Sequence, residues 1–182
     1  MKNLLVSLTK TIENDYSLDA DTKKIFLTRL SMGKLTKSDN PLNHFCSFIV
    51  PVHRQSRLIF AGHHIKADEW IPPGGHIELG ETPLDTVRRE FNEELSYALT
   101  NQRIEFFDIS IMNVNSPTRP CRIHNDFWFV VYMDTMPNFL VDIGEFYEAA
   151  WLPIDQAIKR AKREMVINSL THLKRLLTRD AI

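Results

Sequence analysis

The apolar residues of this chain change their spacing once, near Asn43. From Asn3 to Gly33 they recur at the period of a helix, which predicts two short helices. Beyond Asn43 the runs are rich in β-branched and aromatic residues, which favours strands. Because 182 residues are too few for two full domains, we expect a helical N-terminal extension over residues 1–42 and one main domain over residues 43–182.

The order of the remaining elements predicts the fold class. The predicted strands are residues 44–52, 57–61, 104–114 and 123–133, and the predicted helices are residues 82–98, 154–162 and 164–178. Strands, one helix, strands and then helices favour an α/β (α+β) fold in which a mixed β-sheet is sandwiched between helices. The N-terminal helices have three open uses: a cap over a site, a contact within a homodimer, or packing on the sheet, which we slightly prefer.

Composition and charge exclude several classes of protein. The 22 Lys and Arg residues balance 23 Asp and Glu residues, so no chain-wide basic field exists, and we expect no nucleic acid partner. The longest apolar run, residues 127–133, is far shorter than the roughly 20 residues of a membrane-spanning helix. The first residues are too few for the core of a signal peptide. We therefore expect a cytoplasmic protein without a membrane partner, in which Cys46 and Cys121 are reduced core residues.

The segment 72–81, Pro-Pro-Gly-Gly-His-Ile-Glu-Leu-Gly-Glu, leads directly into the predicted helix of residues 82–98. Thr82 is a good N-cap, Pro83 suits the first helical position, and Asp85 stands where a capping box carries its acid. The sequence thus predicts a rigid glycine loop that feeds a helix with a well-specified start.

Three carboxylates occupy one arc of this helix, beside its apolar stripe. At 100° per residue, Glu90, Glu93 and Glu94 fall within about 100° of one another. The stripe consists of Leu84, Val87, Phe91, Leu95 and Ala98. Like charges at this spacing repel by roughly 1 kcal/mol per pair in water, so a cation is expected among them. Oxygen ligands without Cys or His favour Mg²⁺ or Mn²⁺ over zinc. Taken alone, the cluster fits a solvated acidic face better than a metal site, and the glycine loop before it reverses that preference.

Together, the loop and the helix resemble the signature of the Nudix hydrolases, which reads Gly, five residues, Glu, seven residues and then Arg-Glu-apolar-x-Glu-Glu-x-Gly-apolar. The matching positions in this chain are Gly75, Glu81, Arg89, Glu90, Phe91, Glu93 and Glu94. The chain departs from the pattern at its end, where Ser96 replaces a Gly and Tyr97 replaces a small aliphatic residue. Because Gly tolerates a positive φ better than Ser does, Ser96 puts the backbone turn after the helix in doubt.

The resemblance implies a fold, an activity and a cofactor. The fold would be a mixed sheet sandwiched between helices. The activity would be hydrolysis of a phosphoanhydride (pyrophosphate) bond in a nucleoside diphosphate linked to another moiety, or in a similar small diphosphate compound, with Mg²⁺ or Mn²⁺ as cofactor. The metal ligands implied are Glu90, Glu93, Glu94 and the carbonyl of Gly74, and Arg89 would orient a glutamate.

Other acids have implied roles as well. Glu78 and Glu81 lie in the loop and would hold metal-bound water. The general base varies within the family, and here we favour Glu145 slightly over Glu148, both of which precede an apolar strand segment. A Nudix domain that binds such a ligand as a sensor, without turnover, is the alternative to an enzyme.

The sequence leaves the substrate open. The proline of ADP-ribose hydrolases and the tyrosine of dinucleoside polyphosphate hydrolases are both missing after the signature, where residues 112–114 are Met, Asn and Val. Basic residues that flank the strands are candidates for phosphate contacts. From a set that also contains His64, Lys66 and Arg119, we select as substrate-binding residues Arg54, Arg57, His63 and Arg122. A metal set of His63, His64 and His76 lacks the spacing of a zinc site.

Overall fold

The computed structural model describes residues 2–114 and 120–179. In chain order its elements are α1 (Lys2–Asn14), α2 (Ala20–Ser31), β1 (Asn43–His53), β2 (Leu58–His64), β3 (Glu69–Ile71), β4 (Gly74–His76), α3 (Pro83–Leu95), β5 (Arg103–Asn113), β6 (Ile123–Met133), β7 (Phe146–Pro153), α4 (Ile154–Arg160) and α5 (Glu164–Arg179). Helix α3 ends three residues before the predicted end, and β4 lies inside the predicted glycine loop. Most of the loop predicted at residues 117–120 falls outside the described residues. No helix within the described ranges is long and apolar enough to cross a bilayer.

The sheet is mixed. Its strand order is β3-β2-β1-β6-β5, and in addition β4 pairs with β1 and β7 pairs with β2. The central pair of β1 and β6 is parallel, while the other pairs are antiparallel. Strand β1 therefore has two partners on one side, because β4 pairs with residues 46–48 and β2 pairs near its end. This division brings the glycine loop onto the sheet.

Both faces of the sheet are covered by helices, because side chains alternate between the two faces along each strand. In β1, Phe45 and Ile49 join a core cluster with α1, α2 and α3. Phe48 and Val50 join a second cluster with α4 and α5. The predicted α/β fold, a mixed sheet sandwiched between helices, is confirmed.

Helix α2 belongs to the main core. Asp19 caps its start by accepting a hydrogen bond from the backbone N–H of Thr22 at 2.8 Å. The ring of Phe26 is fully buried and packs edge-on against Phe45 at 5.4 Å and Phe127 at 5.0 Å between centroids. These contacts agree with packing on the sheet as the use of the N-terminal helices. The division into an extension and a main domain stays a prediction.

Arg29 ties the end of α2 to the start of the sheet. Its Nη1 donates to the carbonyl of Gly33 at 2.7 Å, and its Nη2 donates to the carbonyl of Lys34 at 2.8 Å. Its Nε and Nη2 also donate to Asn43, to the side-chain oxygen at 3.0 Å and to the backbone oxygen at 2.6 Å. One guanidinium therefore binds several carbonyls along the polar linker after α2. These hydrogen bonds replace those that the carbonyls would make with water.

The substitution Phe26→Ala tests whether α2 is part of the cooperative core. It should lower the free energy of unfolding by about 3–5 kcal/mol, because a fully buried aromatic ring is lost and a cavity remains. Urea unfolding measures this. The matched control is Ile25→Ala in the same helix, where the side chain is 57% exposed, and its effect should be under about 1 kcal/mol. If both variants unfold like the unmodified chain, α2 is a loosely attached appendage.

Candidate active site

The start of α3 is held by a complete capping box. The Thr82 hydroxyl accepts a hydrogen bond from the backbone N–H of Asp85 at 3.1 Å, and the Asp85 carboxylate accepts one from the N–H of Thr82 at 2.9 Å. Pro83 occupies the first helical position, as predicted. Two backbone donors that a helix start leaves open are thereby satisfied, and the rotation of α3 relative to the glycine loop is set.

Arg89 lies at the centre of the acidic face of α3. Its Nε and Nη2 donate to the two carboxylate oxygens of Glu81, at 2.7 and 3.1 Å. Its Nη1 donates to Glu90 Oε1 at 2.8 Å and to Glu93 Oε2 at 2.9 Å. Nη2 also donates to the backbone oxygen of His76 at 2.9 Å. One guanidinium thus contacts three carboxylates and one residue of the glycine loop, and the expected role of Arg89 in orienting a metal ligand stays a prediction.

The glycine loop packs directly against the helix. The backbone N–H of Gly74 donates to Glu94 Oε2 at 3.1 Å. A β-carbon on Gly75 would lie 2.0 Å from Glu90 Oε1, so any other residue would displace this carboxylate. The two glycines therefore let the backbone approach the carboxylates closely.

Burial gives the carboxylates different affinities for protons. Burial raises the pKa of Glu94 well above its ordinary value, and the charge of Glu90 raises it further. Burial also raises the pKa of Glu90, although Arg89 opposes this. At Glu81 burial again raises the pKa, but hydrogen bonds led by that from Arg89 outweigh burial, and the pKa is lowered. Glu90 and Glu94 are therefore costly to keep charged, and a cation beside them would offset that cost.

The chemistry of these donors fits a hard divalent cation. Glu90, Glu93, Glu94 and Gly74 all line one cleft, and carboxylate and carbonyl oxygens are the ligands that Mg²⁺ and Mn²⁺ prefer. The three carboxylates are not among the described groups of side chains whose ligand atoms all lie within 4.8 Å of one another. Arg89 Nη1 bridges Glu90 and Glu93 instead, and it supplies the positive charge expected among the three acids.

Glu145 stands across the same cleft, which has a volume of about 580 Å³. Its carboxylate pairs with Lys66 and lies 3.3 Å from His64 Nε2. The turn that carries it is tied to the end of α3, because the N–H of Asp142 donates to the carbonyl of Glu94 at 2.8 Å. The loop glutamate and the helix glutamates therefore line the same cleft.

A family model described as the NUDIX domain matches residues 44–173. The chain belongs to this family. The prediction of a Nudix relationship, made from residues 75–94, is confirmed. The N-terminal helices lie outside the matched segment.

Proteins similar to the chain by sequence are named as pyrophosphohydrolases. One is the "Probable DHNTP pyrophosphohydrolase" of Lactococcus lactis subsp. cremoris, 27% identical over 104 residues, which are 52% of this chain and 61% of that protein. The matched part thus spans less than two thirds of that relative. Another is the RNA pyrophosphohydrolase of Francisella tularensis subsp. mediasiatica, 27% identical over 143 residues, 69% of this chain and 90% of that one. These names support the prediction of a hydrolase that acts on pyrophosphate bonds.

A solved structure agrees in fold. The E. coli dihydroneopterin triphosphate pyrophosphohydrolase superposes with a TM-score of 0.62 over 69% of this chain and 91% of its own, at 14% sequence identity. At this identity the likeness concerns the fold alone.

The predicted substrate-binding residues of this Nudix domain do not line the cleft. Arg54 pairs with Asp134 at 3.1 Å, and His63 lies 3.2 Å from Asp68. Arg57 and Arg122 are exposed outside the cleft, and Arg119 lies outside the described residues. Their role as phosphate ligands stays a prediction.

Two other cations line the cleft. Lys66 belongs to the wider predicted set, whereas Arg163 is not among the predicted residues. Arg163 contacts Met112 Sδ at 3.3 Å through Nη1 and pairs with Glu69 at 2.6 Å. No local pattern marks this arginine, because only the tertiary fold brings the start of α5 to a cleft formed mainly by β1, β4 and α3.

A cluster of histidines, which the sequence did not indicate, lies beside the cleft, and two of its members, His76 and His124, line the cleft. The rings of His44, His76 and His124 lie 4.8 to 5.0 Å apart between centroids. Burial lowers the pKa of His124 to about 3, and the other two rings add to the effect. His76 had been considered in a set with His63 and His64. The structure separates it from both in sheet position, since it pairs with Cys46 on β1.

Ser96 adopts the backbone conformation that the family pattern assigns to a glycine. Helix α3 ends at Leu95, and Ser96 follows with φ 50° and ψ 39°, in the left-handed region. The left-handed turn is therefore present although Ser96 stands where the family pattern has a glycine. Its β-carbon brings a steric cost in this conformation. Because the chain leaves the helix at this point, Ala98 is exposed rather than part of the apolar stripe.

The substitution Ser96→Gly should stabilise the protein. A glycine removes the β-carbon clash at positive φ, and we expect the free energy of unfolding to rise by up to about 1 kcal/mol. Thermal and urea unfolding measure the change. Ser96→Ala keeps the β-carbon and serves as the control, for which no gain is expected. A loss of stability in Ser96→Gly would contradict the assigned backbone strain.

Proposed function

We propose that this Nudix domain is a Mg²⁺-dependent hydrolase that cleaves a phosphoanhydride bond in a nucleoside diphosphate linked to another moiety, or in a similar small diphosphate compound. One observation carries the proposal: Glu90, Glu93, Glu94 and Glu145 converge on one cleft whose opposite charges come from Lys66 and Arg163. A diphosphate with its cation has this pattern of charge, since its oxygens suit the lysine and arginine and its metal suits the glutamates.

The helix glutamates would hold the cation. Glu94 is fixed by the Gly74 N–H and Glu90 by Arg89, so their oxygens are oriented before any ligand arrives. Glu93 is the most exposed of the three, with 56% of its side chain accessible, and would turn toward a ligand at little cost. A bound Mg²⁺ would supply charge neutralisation for the phosphates and activation of an attacking water.

Arg89 and Glu81 would act as positioning residues. Arg89 donates hydrogen bonds to Glu90 and Glu93. Glu81 accepts two further hydrogen bonds from the same guanidinium and fixes its orientation. Bidentate pairs of this kind fix orientation as well as charge. Neither residue lines the cleft, so their effect on a ligand would pass through the glutamates.

Glu145 is our candidate for the general base. Its carboxylate faces the cleft, and His64 and Lys66 hold it in place. Lys66 could bind a phosphate when a ligand enters, which would release Glu145 to accept a proton from water. Glu148, the other candidate, is exposed on β7 and does not line the cleft.

The relatives suggest which compounds to try first. A sequence relative and a structural relative are both named for dihydroneopterin triphosphate, so this compound heads the panel, followed by nucleoside triphosphates, nucleotide sugars and ADP-ribose. RNA with a 5′-triphosphate is included because another relative is named an RNA pyrophosphohydrolase. We also propose a cytoplasmic location, in keeping with two free, buried cysteines. Homodimerisation stays a prediction.

Turnover on this panel, with and without Mg²⁺, tests the proposal. We expect Mg²⁺-dependent release of phosphate or pyrophosphate from at least one compound. Glu93→Gln should lower the rate by at least about 100-fold. Removing a group that only supports a metal ligand costs up to about 100-fold, and Glu93 is itself a proposed ligand. Its effect on unfolding should be small, because the pair with Arg89 is partly exposed.

Two readouts separate the outcomes of that test. Mg²⁺ should raise the melting temperature of the unmodified chain, since it binds the folded form, and should do so less in Glu93→Gln. Binding of a panel compound without turnover would favour a sensor. A Glu93→Gln variant with an undiminished rate would refute the metal assignment.

A matched pair of variants tests the general base. Glu145→Gln should lower kcat by roughly 10²–10⁴-fold, the usual contribution of a positioned acid or base. Glu148→Gln makes the same chemical change three residues later, outside the cleft, and should leave kcat within about twofold of the unmodified value. Steady-state kinetics on the best panel substrate measure both. Equal effects of the two substitutions would exclude Glu145 as the base.

A further inference from the structure

Four side chains, two of which line the cleft, have the composition of a transition-metal site. One ligand atom from each of His44, His76, Cys121 and His124 lies within 4.8 Å of all the others. His44 and Cys121 are buried, and the other two are partly buried. None of the four is a carboxylate, so this group is chemically distinct from the glutamates of α3.

Three adjacent strands build this group. His44 on β1 and His124 on β6 are direct partners in the parallel register. His76 on β4 pairs with Cys46, two residues beyond His44 on β1, so that all three rings meet on one face of the sheet. Cys121 precedes His124 by three positions and lies two residues before β6. Because rigid backbone hydrogen bonds hold the three strands, the three imidazole rings are brought together before any ion binds.

The hydrogen bond of His44 assigns its tautomer and leaves a lone pair on the buried Nε2. Its Nδ1 lies 3.1 Å from the backbone oxygen of Asn40. A carbonyl oxygen can only accept a hydrogen bond, so Nδ1 carries the proton and Nε2 carries the lone pair. Histidine ligands of metals are commonly oriented by a backbone carbonyl in this manner.

Two buried nitrogens of this group have no hydrogen-bond partner among the described residues. His44 Nε2 and His124 Nε2 are both shielded from solvent and have no hydrogen-bond partner among the described residues. An unsatisfied buried acceptor normally costs about 1–3 kcal/mol. The group holds two such atoms and a buried thiol, and a cation shared by them would remove this cost.

We propose that His44, His76, Cys121 and His124 form a second metal site, separate from the glutamate site, for a Zn²⁺-like ion. Three imidazole nitrogens and one thiolate match the preference of zinc and of Co²⁺ for a tetrahedral set of nitrogen and sulfur ligands. Mg²⁺ would not bind there, because the site offers no hard oxygen ligand. Four protein ligands leave no open position, so the ion is structural.

The ion would stabilise the position of the glycine loop. It joins β1, β4 and β6 through side chains, and the backbone oxygen of His76 is one of the acceptors of Arg89. Access is available through the cleft, which His76 and His124 line. The inference does not rest on the proposed hydrolase activity, since it needs only the fold and these four side chains.

A second group of described residues shares His124 and competes with this assignment. It consists of Cys46, His124 and Asp126. We favour the four-residue group because it supplies one more ligand, and because Asp126 Oδ2 already accepts a hydrogen bond from Ser110 at 2.8 Å. The two cysteines therefore distinguish the two groups.

Titration of the full chain with Co²⁺ tests the proposal. The protein is first stripped with a chelator under reducing conditions and then kept in excess Mg²⁺, which occupies carboxylate sites. We expect one equivalent of Co²⁺ to produce both tetrahedral ligand-field absorption and a thiolate-to-cobalt charge-transfer band, and Zn²⁺ to abolish both. Glutamate ligands cannot produce the charge-transfer band. Its absence from the unmodified protein overturns the proposal.

Two cysteine variants assign the sulfur ligand. Cys121→Ser should lose the charge-transfer band, and Cys46→Ser should keep it. The reverse result transfers the site to the competing group and overturns the assignment. If Cys121→Ser does not fold, X-ray absorption of zinc-loaded Cys46→Ser replaces it, with three nitrogens and one sulfur expected around the ion. A spectrum without sulfur would then reject Cys121 as a ligand.

Discussion

The guanidinium of Arg89 keeps a set of repelling acids in one arrangement. Glu90, Glu93 and Glu94 lie within about one turn of helix, and burial makes charge on Glu90 and Glu94 expensive. Without an internal cation these side chains would separate or take up protons. Arg89 prevents this for two of them, and the loop residue Glu81 in turn fixes Arg89 through both of its oxygens. The order of the site therefore depends on one loop acid as much as on the helix.

The sheet makes this arrangement possible by dividing β1 between two partners. Strand β4 takes one part of its edge and β2 takes the other, so the glycine loop runs close beside α3. The absence of side chains at Gly74 and Gly75 then allows backbone and carboxylates to touch. Glu145 reaches the same space from the turn before β7, which is hydrogen-bonded to the end of α3. Hydrogen bonds of backbone and side-chain atoms thus connect the helix, the loop and the turn that carries Glu145.

The sequence predicts those features that are encoded locally. The capping box at Thr82 and Asp85, the acidic arc and the glycine loop depend on residues within one short segment, and all are found where they were expected. Long-range features were missed for a physical reason: Arg163 and His124 reach the cleft only through the packing of distant elements. The selected phosphate ligands fail to line the cleft because strand-flanking cations such as Arg54 pair with nearby acids on the surface.

The end of α3 at Ser96 cannot be predicted from the periodicity of apolar residues. A helical wheel extends the apolar stripe to Ala98, because it contains no information on where the backbone turns. The structure ends the helix at Leu95 through a left-handed residue, and the departure from the family pattern changes the cost of this turn rather than its shape. A deviation from a motif at such a position therefore changes the free energy of unfolding and leaves the path of the backbone unchanged.

The burial of Phe26 against Phe45 and Phe127 has a consequence for related proteins of different length. The conserved-domain segment 44–173 begins after α2, so a fragment trimmed to it would present both rings to water. Contiguous exposed hydrophobic patches of this kind promote self-association. A natural relative that lacks these two helices must therefore carry polar side chains at those two strand positions, or recruit another segment to shield them.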